Sequence, residues 1–67
     1  MSSNIVEKWD EIKTLIESIE LDVHKNSGGN SSAGVRARRG LRALKSESAD
    51  LVRLMIETDK VRKSEKG

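Results

Sequence analysis

The sequence predicts an all-α fold, an antiparallel two-helix hairpin expected to dimerise into a four-helix bundle. Three features carry that expectation. Ile5, Trp9, Ile12, Ile16, Ile19 and Val23 follow one another at steps of 4, 3, 4, 3 and 4, the seam of a heptad pattern. A second stripe, Ala37, Leu41, Leu44, Leu51 and Met55, comes later, with Ser48 as its polar member. Between the two lies the only break, Asn26-Ser27-Gly28-Gly29-Asn30-Ser31-Ser32.

The first helix is expected from about Asn4 to about Lys25. A strand is a poor reading because no period of two is present. Asn4 or Ser3 is suited to cap its start, and Glu7 and Lys25 sit where the helix dipole favours an acid and a base. The turn, about 26–30, offers Gly28 or Gly29 for a left-handed residue and Asn30 or Ser31 as the next cap. So short a linker favours antiparallel neighbours. Two separate helices on a flexible glycine-serine hinge are the alternative.

The second helix is expected over about 31–62, with a frayed tail at 63–67, so that residues 1–67 form one domain. Ala33 and Gly40 near the turn would let two backbones come close. Gly40 costs about 1 kcal/mol relative to Ala inside a helix, which close packing would offset. Val35, Val52, Leu54, Ile56 and Val61 point away from the stripe. There are more apolar directions than one partner helix can cover, and this again favours a homodimer or higher oligomer.

Composition narrows the classes. With 67 residues, no cysteine, no proline, one tryptophan and 36% charged residues, the chain is too small and polar for a thick globule. A domain of that size usually leans on disulfides, metals or self-association, and only the last is open here. The absence of cysteine, of a long apolar run and of a signal-peptide pattern makes a cytoplasmic protein without a membrane span the expectation.

Charge is unevenly placed. Residues 1–25 hold three lysines against six acids, a net of −3, and residues 31–67 hold ten bases against five acids, a net of +5. Within 35–45 there are five bases, Arg36, Arg38, Arg39, Arg42 and Lys45, and no acid. At about 100° per residue Arg38, Arg39, Arg42 and Lys45, with Arg53, Lys60 and Lys63 beyond them, fall opposite the apolar stripe, with Arg36 toward one flank. Backbone N–H groups around Asn30 to Ala33 are expected to be free beside them, so the start of this helix is suited to phosphate. Duplex DNA presents a dense row of phosphates whose neutralisation releases counterions, and arginine suits bidentate contact with them. A charged helix face that is merely solvated is the plain alternative; the acid-free run weighs against it.

Other candidates carry less. Trp9 lies on the apolar seam and reads as core rather than as a base-stacking residue. His24 reads as a capping or solvated residue. The carboxylates have lysine neighbours and read as helix-pairing groups. No nucleophile–base set, metal motif or nucleotide-binding loop is present, so neither an enzyme nor a cofactor or metal site is expected.

The run Gly29-Asn30-Ser31-Ser32-Ala33-Gly34-Val35-Arg36-Ala37-Arg38-Arg39-Gly40-Leu41-Arg42-Ala43-Leu44-Lys45 resembles bacterial linker-histone-like nucleoid proteins of the chlamydial type. Upstream, Leu15-Ile16-Glu17-Ser18-Ile19-Glu20-Leu21-Asp22 resembles the first helix of the same family. The likeness covers roughly residues 5 to 57, and Gly-Asn-x-x-Ala-Gly-x-Arg-x-Arg is its most specific part. It implies a nucleoid-associated protein that binds double-stranded DNA with little sequence preference and helps compact or organise it. Gly29, Asn30, Ala33, Arg36 and Arg38 match the pattern, followed by Leu41, Leu44 and Lys45; Arg39 and Arg42 extend the basic surface. Chlamydial members carry a long lysine- and alanine-rich tail, so the resemblance is to a short form without it, with weaker binding or dependence on oligomerisation expected.

Two function classes follow. The first is a histone-like DNA-binding protein gripping phosphates through Asn30, Arg36, Arg38, Arg39, Arg42 and Lys45, with RNA left open as a partner because phosphate contacts are shared. The second is a helical protein-interaction module whose basic face only keeps it solvated.

Overall fold

The computed structural model describes the backbone of residues 3–66 and the side chains of residues 4–63. Two helices fill that span, α1 (Ser3–Ser27) and α2 (Ser31–Lys66), packed against each other as a hairpin. The all-α hairpin expected from the heptad stripes is what the chain forms. At about 1.5 Å per residue α2 makes a rod about 54 Å long. That length accounts for the 56 Å long axis, and the other extents, 15 and 11 Å, are those of two helices in one layer.

The ends differ from the sequence reading. Ser3 and Asn4, expected as caps, already lie within α1, and Glu7 therefore falls beyond its first turn. The second helix extends past the end expected at about 62, with helical backbone to Lys66. Gly67 lies outside the described residues.

The corner between the helices is tighter than the sequence suggested. Gly29 takes φ of +103°, a conformation open to glycine for want of a Cβ. The Asn30 N–H donates to the Lys25 carbonyl at 3.0 Å and the Gly29 N–H to the Asn26 carbonyl at 2.9 Å, the paired bonds of a Schellman ending. Asn30 then starts α2: its Oδ1 accepts from the Ala33 N–H at 3.0 Å. One residue closes the first helix and opens the second, which leaves no room for a flexible hinge.

The hairpin interface runs along Ile5, Lys8, Ile12, Leu15, Ile19 and Asp22 on α1 and along Ala33, Ala37, Gly40, Leu44, Glu47, Leu51, Leu54 and Thr58 on α2, all buried or half-buried. Ile12, Ile19, Ala33, Ala37 and Leu51 are its buried apolar members. Near the corner the small residues bring the backbones together, and Gly40 faces Ile19 directly. This interface is rotated from the stripes read in the sequence. Ile5, Ile12, Ile19, Ala37, Leu44 and Leu51 belong to it, and so does Leu54, which was expected to point elsewhere. Trp9, Ile16, Val23, Leu41 and Met55 do not; they are 43–48% exposed. Trp9 is therefore not a residue of the hairpin core. The reason is that both helices are apolar at three heptad positions, and two helices alone can cover only two of them.

Toward the open end, polar groups enter the interface. The Lys8 ammonium contacts the Glu47 carboxylate and lies 3.8 Å from Asp50 Oδ2. Glu47 Oε1 is buried, and the Lys8 ammonium is the group beside it. The hydrogen bond to Glu47 raises the Lys8 pKa above its ordinary value.

Candidate nucleic-acid interface

The basic residues are mounted on α2 by its unbroken helical period. Arg38, Arg42, Lys45, Arg53 and Lys60 fall within an arc of about 80°, centred opposite the side that faces α1. All five are exposed, as is Arg39, which stands about 40° outside the arc. What separates them is their neighbours. Arg53 lies 3.9 Å from Asp50 and Arg62 lies 3.8 Å from Asp59, each within its own helix. Arg38, Arg39, Arg42 and Lys45 form no ion pair with any described residue. Four cations on about two turns of helix, with no carboxylate to neutralise them, form the densest positive surface on the molecule.

Two of the residues expected in this surface are engaged elsewhere. The Arg36 Nε donates to Asp22 Oδ1 of α1 at 3.2 Å, so part of its charge is spent across the hairpin. Its side chain remains 53% exposed while that of Asp22 is 19% exposed, which leaves the rest of the guanidinium facing water. Asn30 is held at the corner through its N–H, its Oδ1 and its carbonyl, which accepts from Asn26 Nδ2 and from the Gly34 N–H, both at 3.2 Å. The expectation of free amides from Asn30 to Ala33 is corrected accordingly. The N–H groups of Asn30 and Ala33 are taken, and Ser31 and Ser32 are the remaining pair.

The outer side of α1 is the electrostatic opposite. Glu7, Asp10, Glu11, Glu17 and Glu20 are exposed there, with Lys13 drawn to Asp10 at 3.3 Å. His24, at the end of α1, is exposed, as a solvated or capping residue would be. The hairpin thus carries an acidic edge and a basic edge. One face between them is apolar. It forms two shallow grooves, of about 250 Å³ lined by Ile16, Ile19, Val23, Leu41 and Leu44, and of about 390 Å³ lined by Ile5, Val6, Trp9, Leu51 and Met55.

Sequence reasoning missed Asp22 as the partner of Arg36, and the Lys8–Glu47 contact. Both pairs span the hairpin, so neither shows as a short spacing along the chain. The signal available was that Lys8 and Asp22 lie three residues from Ile5 and Ile19, on the side that α2 covers.

No described helix is long and apolar enough to cross a membrane. The family model described as Histone H1-like protein Hc1 matches residues 6–60. No curated protein and no solved structure matches the chain.

Proposed function

This chain belongs to the Histone H1-like protein Hc1 family, whose general role is histone-like DNA binding in the nucleoid, and we propose that it binds duplex DNA with little sequence preference and helps to compact it. The observation that carries this reading is the exposed run Arg38, Arg39, Arg42 and Lys45, unpaired among the described residues. Guanidinium groups on a rigid rod meet phosphate oxygens bidentately and displace condensed counterions. Such contacts position a protein on the duplex without reading its bases. Arg36 contributes with the part of its charge that Asp22 leaves, and Asn30 acts by fixing the corner from which the basic run starts.

The reading is that of a binding protein rather than an enzyme, acting in the cytoplasm at the nucleoid. Four phosphate contacts give a log–log salt slope of about −3.6, at about −0.9 for each. Titration of random-sequence duplexes across a range of salt tests it, with the Arg38→Ala/Arg39→Ala/Arg42→Ala variant alongside. The expected result is a slope flatter by about 2.7 and similar losses on unrelated sequences. An unchanged slope in the variant removes the assignment. Duplex RNA as competitor reports whether A-form phosphates serve as well.

A second reading, a protein-interaction module, is favoured by the exposed apolar side chains Trp9, Ile16, Val23, Leu41 and Met55. It stands alone if no duplex binds at low salt.

A further inference from the structure

We propose that the apolar face of the hairpin is covered by a second copy of the same chain, with α1 of each copy lying on α2 of the other, and that the resulting dimer bridges two DNA duplexes. The face is written at heptad intervals on both helices: Trp9, Ile16 and Val23 on α1, and Leu41, Ser48 and Met55 on α2. Helices with apolar residues at three positions per heptad are those that touch two neighbours, as in a four-helix bundle. Within one hairpin the large side chains buried are Ile12, Ile19 and Leu51, a thin core for 67 residues. Exposed apolar side chains outside the hairpin interface line two grooves on one face, one beside Trp9 and Met55 and one beside Val23 and Leu41.

Charge selects the occupant and its direction. Helix α1 holds six acids against three bases, a net of −3, and α2 holds ten bases against five acids, a net of +5. Two hairpins can meet face to face about a two-fold axis in two ways. An axis across the helices sets α1 on α1 and α2 on α2, like charge on like. An axis along the helices sets α1 on α2 at both contacts, antiparallel, with opposite charge at each. A surface that carries both signs on parallel stripes is complementary to itself in the second arrangement.

The two arrangements present DNA with different objects. With like helices together, both basic edges would lie on one side and form a single broad surface. With α1 on α2, the two α2 helices sit at opposite corners and their basic edges point about 180° apart. One duplex cannot reach both edges of so thin a rod, so the dimer holds two. The proposal rests on the phosphate-binding reading of α2.

The chain has no cysteine, which makes placed cysteines clean probes. Chains carrying Lys13→Cys and chains carrying Lys45→Cys, mixed without DNA and treated with a short bis-maleimide, report which helices meet. The register set by Lys8–Asp50 and Asp22–Arg36 places residues 13 and 45 at one level. Cross-linking between the two kinds of chain supports the arrangement, and cross-linking confined to one kind overturns it. The function is read by immobilising one duplex and measuring capture of a second, labelled duplex. Wild type is expected to capture it, and Ile16→Glu to lose roughly a hundredfold in capture while remaining helical and still binding a single duplex. A wild-type chain that binds one duplex and captures no second overturns the bridge, as does an Ile16→Glu chain that still captures. If no single duplex binds, it is the DNA-binding reading of α2 that has failed, and the cross-links still decide the arrangement.

Discussion

Gly40 of α2 lies against Ile19 of α1 so closely that a methyl group on its Cα would fall 2.5 Å from Ile19 Cγ1. Ile19 is itself buried and cannot swing into water. Alanine at this position gains about 1 kcal/mol of helix propensity, while overpacking an occupied interface costs about 1–3 kcal/mol. Gly40→Ala is therefore expected to lower the melting temperature despite its better propensity. Combining it with Ile19→Ala should reverse the sign of its effect, read as non-additivity in a double-mutant cycle. Additive losses would mean that the two helices do not approach at this point.

The corner offers a way to separate folding from binding. Gly29→Ala forces an L-residue to the positive φ of 103°, at a cost of about 1–3 kcal/mol. Asn30→Ala removes the acceptor for the Ala33 N–H, with about 0.5–2 kcal/mol lost. Both variants should melt earlier by circular dichroism. Below that melting point, Asn30→Ala should keep the salt slope of the wild type. A flattened slope would restore Asn30 as a phosphate contact.

Lys8 and Glu47 tie stability to alkaline pH. The Lys8 pKa is raised, chiefly by its hydrogen bond to Glu47, so the folded chain holds that proton more tightly than the unfolded one. A raised pKa gives stability that is fully present below the unfolded value, about 10.4, and is lost as pH climbs through the folded value above it. The Lys8 contribution to the melting temperature should hold up to about pH 9 and fall as pH climbs past about 10, and the fall should be shallower in Lys8→Met. That variant should also be less stable at neutral pH, because it leaves the buried Glu47 oxygen without its partner. Lys8→Met/Glu47→Leu should recover the loss.

Asp22 restrains one of the arginines on the basic helix through its 3.2 Å contact with Arg36 Nε. Asp22→Asn removes a negative charge and releases the guanidinium. Tighter DNA binding at low salt is expected, with a slope steeper by up to about 0.9, one phosphate contact. Weaker binding would show that the ion pair orients Arg36 toward DNA.

The helices and their antiparallel order were legible because periodicity and a glycine-bearing break depend on neighbours along the chain. The basic run was legible for the same reason: an acid able to neutralise it from the same helix would have to stand three or four residues away, and none does between 35 and 45. The hairpin interface was read with the wrong rotation. Its true positions include Lys8, Asp22 and Glu47, so a search for apolar spacing settles on Trp9, Ile16 and Val23, which are more apolar and face outward. Arg36 looked as available as Arg38 because its partner stands fourteen residues earlier, across the turn. Contacts across the hairpin depend on the rotation of each helix, and local spacing does not encode it.

The unbroken run of α2 makes it a ruler. Arg38 and Lys60 are separated by 22 residues on one edge, which at about 1.5 Å per residue is about 33 Å. One turn of B-form DNA advances about 34 Å. A stiff helix lying along the duplex therefore meets phosphates at two points about one helical repeat apart, and oligonucleotides much shorter than about 10 base pairs should engage only one end of it.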